Sequence, residues 1–371
     1  MFSESAKLSS QVTISEIEFP SLKESVTIRR DDRGIPYIQA ANEADLFFAQ
    51  GYATAFDRLW QMDFLRRMAR GKLAEILGPN AVELDKLHRV YGFRKLAETL
   101  FAGASTQTRA VLESYASGVN AFIQTRSVTL LPKEFQVLGY APQKWNPVDS
   151  LALGKLFAES LSVSVDVDIL RALVAELAAD KFDALFPRTC PLDLILIGTD
   201  AGNRTCGVPL QLKLNEPKRA ALTALLKGMR RLRAASGADT QAGSNAWIVS
   251  GKLTASGAPM LANDPHLPPT SPSIWHITHL STAGFRVAGV SVPGLPGVMI
   301  GHNKHIAWGL TNLCPDVQDL YFEEFNETEP QAYRTPDGWR RAELRKEEIK
   351  IRHGSAVETV TIDIKVTRHG R

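Results

Sequence analysis

The chain has 371 residues, 44% of them hydrophobic and 22% charged, and a formal net charge of +3. That length buries a sizeable core, in roughly two or three domains of ordinary size. The composition excludes a disordered or fibrous chain, and so small a charge gives no general electrostatic case for nucleic acid.

Cys190, Cys206 and Cys314 are widely spaced and form no CxxC, so neither a disulfide framework nor a zinc ribbon is indicated. The opening residues lack a basic stretch followed by an apolar one, and no run of about 18 apolar residues occurs. The expectation is a soluble cytoplasmic protein without a membrane partner.

Val26, Ile28 and residues 35–38, around the turn Asp32-Arg33-Gly34, predict two strands joined by a tight turn. From Glu43 to Leu77, apolar residues such as Leu46, Leu59, Met62 and Leu65 recur at spacings of three and four, which predicts helix stopped by Gly78-Pro79. Further helices are predicted over 92–102, 106–125, 148–162 and 167–179. Between Pro217 and Ala238 lie Lys218, Arg219, Lys227, Arg230, Arg231 and Arg233 with no acidic residue, followed by a small, polar stretch ending at Gly243. Three readings fit: a basic surface helix with a loop, a short basic patch, or a removable spacer. From Ser244 onward short strand-like runs cover 246–249, 259–262, 274–280, 285–292, 298–300 and 306–310, and residues 343–366 alternate again. Helices followed by strands predict an α+β layered fold with an antiparallel sheet.

A serine hydroxyl is a poor nucleophile and needs a base within hydrogen-bond reach. A free α-amine, with a pKa of about 8, is such a base; the same nitrogen inside a peptide bond is not. Cutting the chain between Gly243 and Ser244 therefore makes a catalyst. Gly243, without a Cβ, permits the unusual backbone geometry that a hydroxyl needs to attack its own preceding carbonyl. A Gly-Ser pair alone is ordinarily a flexible linker, so the surrounding residues decide.

Those residues are Gly243-Ser244-Asn245-Ala246-Trp247, Asn263-Asp264-Pro265-His266-Leu267, Pro293-Gly294-Leu295-Pro296-Gly297, Gly301-His302-Asn303 and Ala307-Trp308-Gly309-Leu310-Thr311-Asn312. In order and spacing they closely resemble the start of the β subunit in the penicillin acylase (penicillin amidase) family. Upstream, Asp32-Arg33-Gly34-Ile35-Pro36, Asp57-Arg58-Leu59-Trp60-Gln61-Met62, the stretch Gly71 to Gly78 and Leu138-Gly139-Tyr140 resemble its α subunit. The resemblance implies an N-terminal-nucleophile hydrolase, an α+β fold of αββα sandwich type, incomplete at the C-terminus. It divides the chain into an α-subunit-like helical region at 1–215, a spacer at 216–243 and the start of a β subunit at 244–371.

The resemblance further implies an autoproteolytic zymogen that yields an α/β heterodimer of its own cleavage products. Ser244 is the implied nucleophile, and His266 assists through its ring or its main chain. The main-chain N–H of Asn312 belongs to the oxyanion hole, and Leu267 and Ile300 stand at acyl-pocket positions. Asp316, Gln318 and Asp319, with Asp166, match a structural calcium site, and no organic cofactor is implied. Trp247 is expected as a buried aromatic. The implied substrate is a small N-acyl amide, hydrolysed through an acyl-enzyme. Two alternatives remain open: a non-catalytic fragment that needs a downstream-encoded remainder, or an acyl-homoserine-lactone or cephalosporin acylase of the same superfamily.

Other chemistries find no support. Residues 289–293 fail the GxSxG pattern, and there is no Walker A, dinucleotide fingerprint or HExxH. His276 and His279, like His302 and His305, are three apart; on a strand they face opposite sides and cannot readily share a zinc ion.

Overall fold

The computed structural model describes residues 17–125, 131–162, 164–187, 214–235, 243–313 and 317–370. The three cysteines, Asp316 and the segment just before Gly243 lie outside them. The chain divides into two units: residues 1–159, 242–312 and 342–368 form the first, and residues 160–241, 313–341 and 369–371 the second. The boundaries expected at 215 and 243 concern processing, which packing does not report.

The first unit opens with the antiparallel pair β1 (Thr27–Arg30) and β2 (Pro36–Gln39). Helix α1 (Glu43–Arg70) starts where the Asn42 side chain accepts the Asp45 N–H, and it stops at Gly71, whose φ of 59° is left-handed. The helical stretch expected to run to Leu77 is thus broken, and the short α2 (Ala74–Leu77) follows. Next come α3 (Val82–Tyr91), α4 (Phe93–Gly103), α5 (Thr106–Thr125), α6 (Lys133–Leu138) and α7 (Pro147–Ser160). Helix α3 was not expected. Its Leu84, Leu87 and Tyr91 recur at helical spacing and are half-buried, while its fully buried residues are the polar Asp85 and His88.

Strands β3 (Gly243–Val249) and β4 (Met260–His266) form a separate antiparallel hairpin. Then β5 (His276–Ser281), β6 (Arg286–Ser291), β7 (Ile300–Asn303) and β8 (Ala307–Trp308) join the first two strands in one sheet, ordered β1-β2-β5-β6-β7-β8. Its pairs are antiparallel except β2–β5, which is parallel. The long helical excursion between these two strands supplies the crossover that a parallel pair needs.

Helix α1 lies on this sheet through Ile38, Ala40, Leu46, Ala49, Ala53 and Leu280. It also packs along α5, where Gly51 and Gly118 bring the two backbones together; a Cβ on Gly118 would stand 1.8 Å from the Phe48 carbonyl oxygen. Tyr115, Val119, Phe122, Phe135 and Trp145 fill the rest of that core, each burial contributing about 1.5–3 kcal/mol for a large apolar side chain.

The same core holds charges. Asp63 is buried and accepts from Arg66, from Arg67 Nε (2.8 Å) and from the Tyr140 hydroxyl (2.9 Å). Arg66 and Arg70 also reach Asp149, and Arg67 reaches Glu75. Burial raises the Asp149 carboxyl above its ordinary range although Arg66 opposes it.

Helix α3 carries opposed titrations. Asp85 accepts the N–H groups of Leu73 (2.8 Å) and Ala74 (2.7 Å), yet burial lifts its carboxyl to about 6. Burial lowers His88 to about 4, against the raising effect of the Leu84 carbonyl. Between pH 6.5 and 4 the unfolded chain protonates His88 first, so stability falls with pH by up to about 3 kcal/mol. Between pH 6 and 3.8 the folded chain protonates Asp85 first, which offsets that loss. His88→Leu should therefore gain about 2 kcal/mol relative to the parent between pH 7 and 5. Melting curves at the two pH values check it; parallel shifts of parent and variant would refute it.

The first unit closes with β11 (Glu343–His353) and β12 (Ala356–Val366), after β9 (Ala332–Thr335) and β10 (Gly338–Arg341) of the second unit. The alternation of 343–366 is thus a hairpin turned at Gly354 (φ 62°), not one strand. Ile349 and Ile351 pack on Leu73, Ala74 and Ala81.

In the second unit α8 (Ser164–Leu177) is followed by the short α9 (Phe182–Leu185) and by α10 (Glu216–Ala235). Val165, Ile169, Ala172 and Leu173 of α8 meet Leu222, Leu226 and Met229 of α10, together with Leu214. The basic segment is a helix with an apolar face of its own. Strands β9 and β10 form this unit's hairpin.

Candidate active site

The β3–β4 hairpin sets Gly243 opposite His266 and Ser244 opposite Pro265. The Ser244 hydroxyl donates to the Gly243 carbonyl at 2.6 Å, beside the peptide bond that cleavage would break. The His266 ring lies along Gly243: a Cβ there would be 3.5 Å from Nδ1, an ordinary contact. His266 Nε2 is 3.0 Å from Asp264 Oδ2. Side chains alternate along a strand, so Asp264 and His266 share one face of the hairpin, while Ser244 shares the other with Asn263. In the uncut chain the imidazole therefore flanks the peptide from the side away from the hydroxyl.

The segment after β8 lies on the Ser244 face. Asn263 bonds through its side chain to both backbone groups of Leu310, two residues before Asn312. The structure thus gathers Gly243, Ser244 and His266 at one hairpin end and ties the Asn312 segment to it. Leu267 follows His266 directly, with its N–H on the Pro265 carbonyl (3.1 Å). Ile300 stands elsewhere, paired with Val290 in the six-stranded sheet.

Trp247 corrects an expectation. It is 69% exposed, and Ile248 and Met260 are 77% and 61% exposed. Trp247 and Ile248 point to opposite faces and both are largely exposed, while residues 309–310 lie on the Ser244 face at Asn263.

The other motifs support the frame. Gln50 clamps Gly297 through both of its backbone groups (2.9 Å each), and the Tyr115 hydroxyl accepts the Gly294 N–H (3.1 Å). Burial pushes that phenol up to about 12, so it remains a neutral partner. The Pro-Gly-Leu-Pro-Gly stretch thereby pins the sheet to α1 and α5. Asn303 Oδ1 accepts the N–H groups of His305 and Ile306 (2.8 Å each) and shapes the β7–β8 turn. Asp57 accepts from Arg30 (2.9 Å) and meets the buried His276 (2.9 Å). His276 faces Asp57 whereas His279 stacks on Tyr37, so the two histidines do diverge.

Asp166, Gln318 and Asp319 all belong to the second unit. Gln318 Oε1 is buried and meets no hydrogen-bond donor. Among the described residues no three His, Cys, Asp or Glu side chains gather as a metal site. Asp264 and Asn263 have no role expected from sequence; both fall just past the strand expected at 259–262, which the structure extends to His266.

A family model described as Penicillin amidase matches residues 25–371. Acyl-homoserine lactone acylase QuiP of Pseudomonas aeruginosa is 35% identical over 351 residues, which are 94% of this chain and 40% of that protein. Penicillin acylase 2 proenzyme of Pseudomonas sp. strain SE83 is 33% identical over 361 residues, 95% of this chain and 44% of the relative. Penicillin G acylase of Escherichia coli is 29% identical, covering 91% of this chain and 44% of that protein. The chain spans about two-fifths of the length of these curated relatives. No helix among the described residues is long and apolar enough to cross a membrane.

Proposed function

The chain belongs to the penicillin amidase family, and from that premise we propose that it hydrolyses a linear N-acyl amide with Ser244 as an N-terminal nucleophile. The observation that carries this reading is the Ser244 hydroxyl resting on the Gly243 carbonyl at the head of β3. In maturation, Ser244 Oγ bonds to the Gly243 carbonyl carbon, the C–N bond breaks, and water hydrolyses the resulting ester. The products are a Gly243 carboxylate and a free Ser244 amine. In turnover, the amine takes the hydroxyl proton as Oγ attacks the substrate carbonyl, and passes it to the departing amine. Water then releases the acyl group. The main-chain N–H groups of Asn312 and His266 are the proposed donors to the oxyanion; the imidazole, held at Asp264, positions the Gly243 end of the strand. Autoproteolysis makes the protein a zymogen with an α/β heterodimer as its mature form.

Penicillin-type and acyl-homoserine-lactone-type substrates differ in acyl chain and leaving amine. The aliphatic Leu267, directly after His266, and the relative named as an acyl-homoserine lactone acylase favour a flexible acyl chain over a flat phenyl group. The exposed Trp247, Ile248 and Met260 of the β3–β4 hairpin support a requirement for a downstream segment, because a two-stranded hairpin with uncovered apolar side chains is marginal in water. Intact-mass measurement of the chain, expressed with the sequence encoded after Arg371, should find a new terminus at Ser244. A panel of N-acyl amides then ranks the acyl groups. An uncut chain with full amidase activity would overturn the reading.

Calcium fits the second unit on one observation, the shielded and unpartnered Gln318 oxygen beside the carboxylate of Asp319 in sequence, with Asp316 and Asp166 as further hard donors. There it would supply structural stability and no step of the reaction. Added calcium should raise the melting temperature, EGTA should reverse that, and Asp319→Ala should remove the response; a calcium-blind parent would end this assignment.

A further inference from the structure

Asn263 joins the two backbone segments on which the acyl-transfer reading depends. From Nδ2 its amide donates to the carbonyls of Asn245 (2.9 Å) and Leu310 (3.1 Å), and Oδ1 accepts the Leu310 N–H (2.9 Å). The chain lies directly on that amide: a Cβ on Gly309 would come within 2.8 Å of Asn263 Cβ and Cγ. Pairing places Ala246 opposite Asn263 and Pro265 opposite Ser244, so Asn263 and Ser244 project from the same face. One planar group thus ties strand β3, strand β4 and the 309–312 segment together, using both donor and acceptor.

We propose that Asn263 is a positioning residue that sets the Asn312 N–H against the face of the hairpin that carries Ser244. This rests on the acyl-transfer reading of the site. Asn263 touches no reacting atom and works through the backbone of residues 309–312. Only a carboxamide meets the demand at this size. Aspartate sets a second acceptor against the carbonyls of Asn245 and Leu310, and alanine leaves three backbone groups without this partner. A protonated aspartic acid, with one O–H donor and one carbonyl acceptor, restores part of the pattern.

The test compares the parent with Asn263→Asp, Asn263→Ala and Ser244→Ala, expressed with the sequence encoded after Arg371, on a chromogenic N-acyl anilide. Loss of one aligned oxyanion donor predicts that kcat per cut chain falls about 100-fold in Asn263→Asp, with KM within about threefold. The ratio of variant to parent kcat should recover several-fold below about pH 5, as the new carboxyl protonates. A role confined to stability would lower the melting temperature and the cut fraction, leave kcat per cut chain unchanged, and overturn the proposal. Inactivity of Ser244→Ala beside an unimpaired Asn263→Asp sinks only the positioning role; full activity of Ser244→Ala sinks the reading of the site. Hydrogen exchange on the 371-residue chain itself decides independently of turnover. Amides of residues 306–313 should exchange about tenfold faster in Asn263→Ala while α1 is unchanged. Equal exchange in that segment overturns the proposal.

Discussion

Ser244→Ala is expected to leave a single uncut polypeptide and to abolish amide hydrolysis, a loss on the order of 10⁵-fold or more in kcat. Both losses have one cause. The hydroxyl that stands 2.6 Å from the Gly243 carbonyl is the group proposed to open that peptide bond, and without the opening no α-amine exists to serve as base. Ser244→Cys separates the two steps. Its thiol still attacks the preceding carbonyl, so cutting should persist, while turnover falls because the geometry and the partner base suit an oxygen nucleophile. Intact mass follows the cut and an anilide assay follows the turnover. A cut Ser244→Ala chain would remove the hydroxyl from the maturation step, and an uncut but fully active one would remove the amine from the reaction.

Asp63→Asn is expected to destabilise the first unit by about 3–5 kcal/mol, a fall in melting temperature on the order of 10 °C. Asp63 neutralises Arg66 and Arg67 in the core, where neither guanidinium has water to turn to. The amide keeps the shape and removes the charge, so two desolvated cations are left to share Asp149 and Glu75. Tyr140→Phe is the contrasting case. It deletes a single hydrogen bond to the same carboxylate and should cost about 1 kcal/mol. Equal effects of the two variants, read by thermal melting, would mean that the charge is not what the network requires.

The network also shows what patterning alone conveys. Asp63, Arg66 and Arg67 sit in a helix that the spacing of Leu59, Met62 and Leu65 locates correctly, but nothing in the spacing says that the polar residues are buried with them. Helix α3 likewise buries Asp85 and His88 most deeply, beside Leu84, Leu87 and Tyr91, whose helical spacing gives no sign of them. Periodicity registers transfer free energy of apolar groups; it does not register charges that offset one another across a core.

By itself the sequence determined the local elements and the order of the motifs. Turn residues, caps and apolar spacing act over a few residues, and the Gly243-Ser244 pair with its downstream motifs is likewise written in the chain. Tertiary structure alone decided which of those pieces meet. It made β2 and β5 a parallel pair across a long helical excursion, turned residues 343–366 back on themselves, and left Trp247 in water. It also laid Leu310 on Asn263, on the same face as Ser244. Pairing between distant segments depends on strand register and on the surfaces that remain to be covered, and neither quantity exists until the chain has folded.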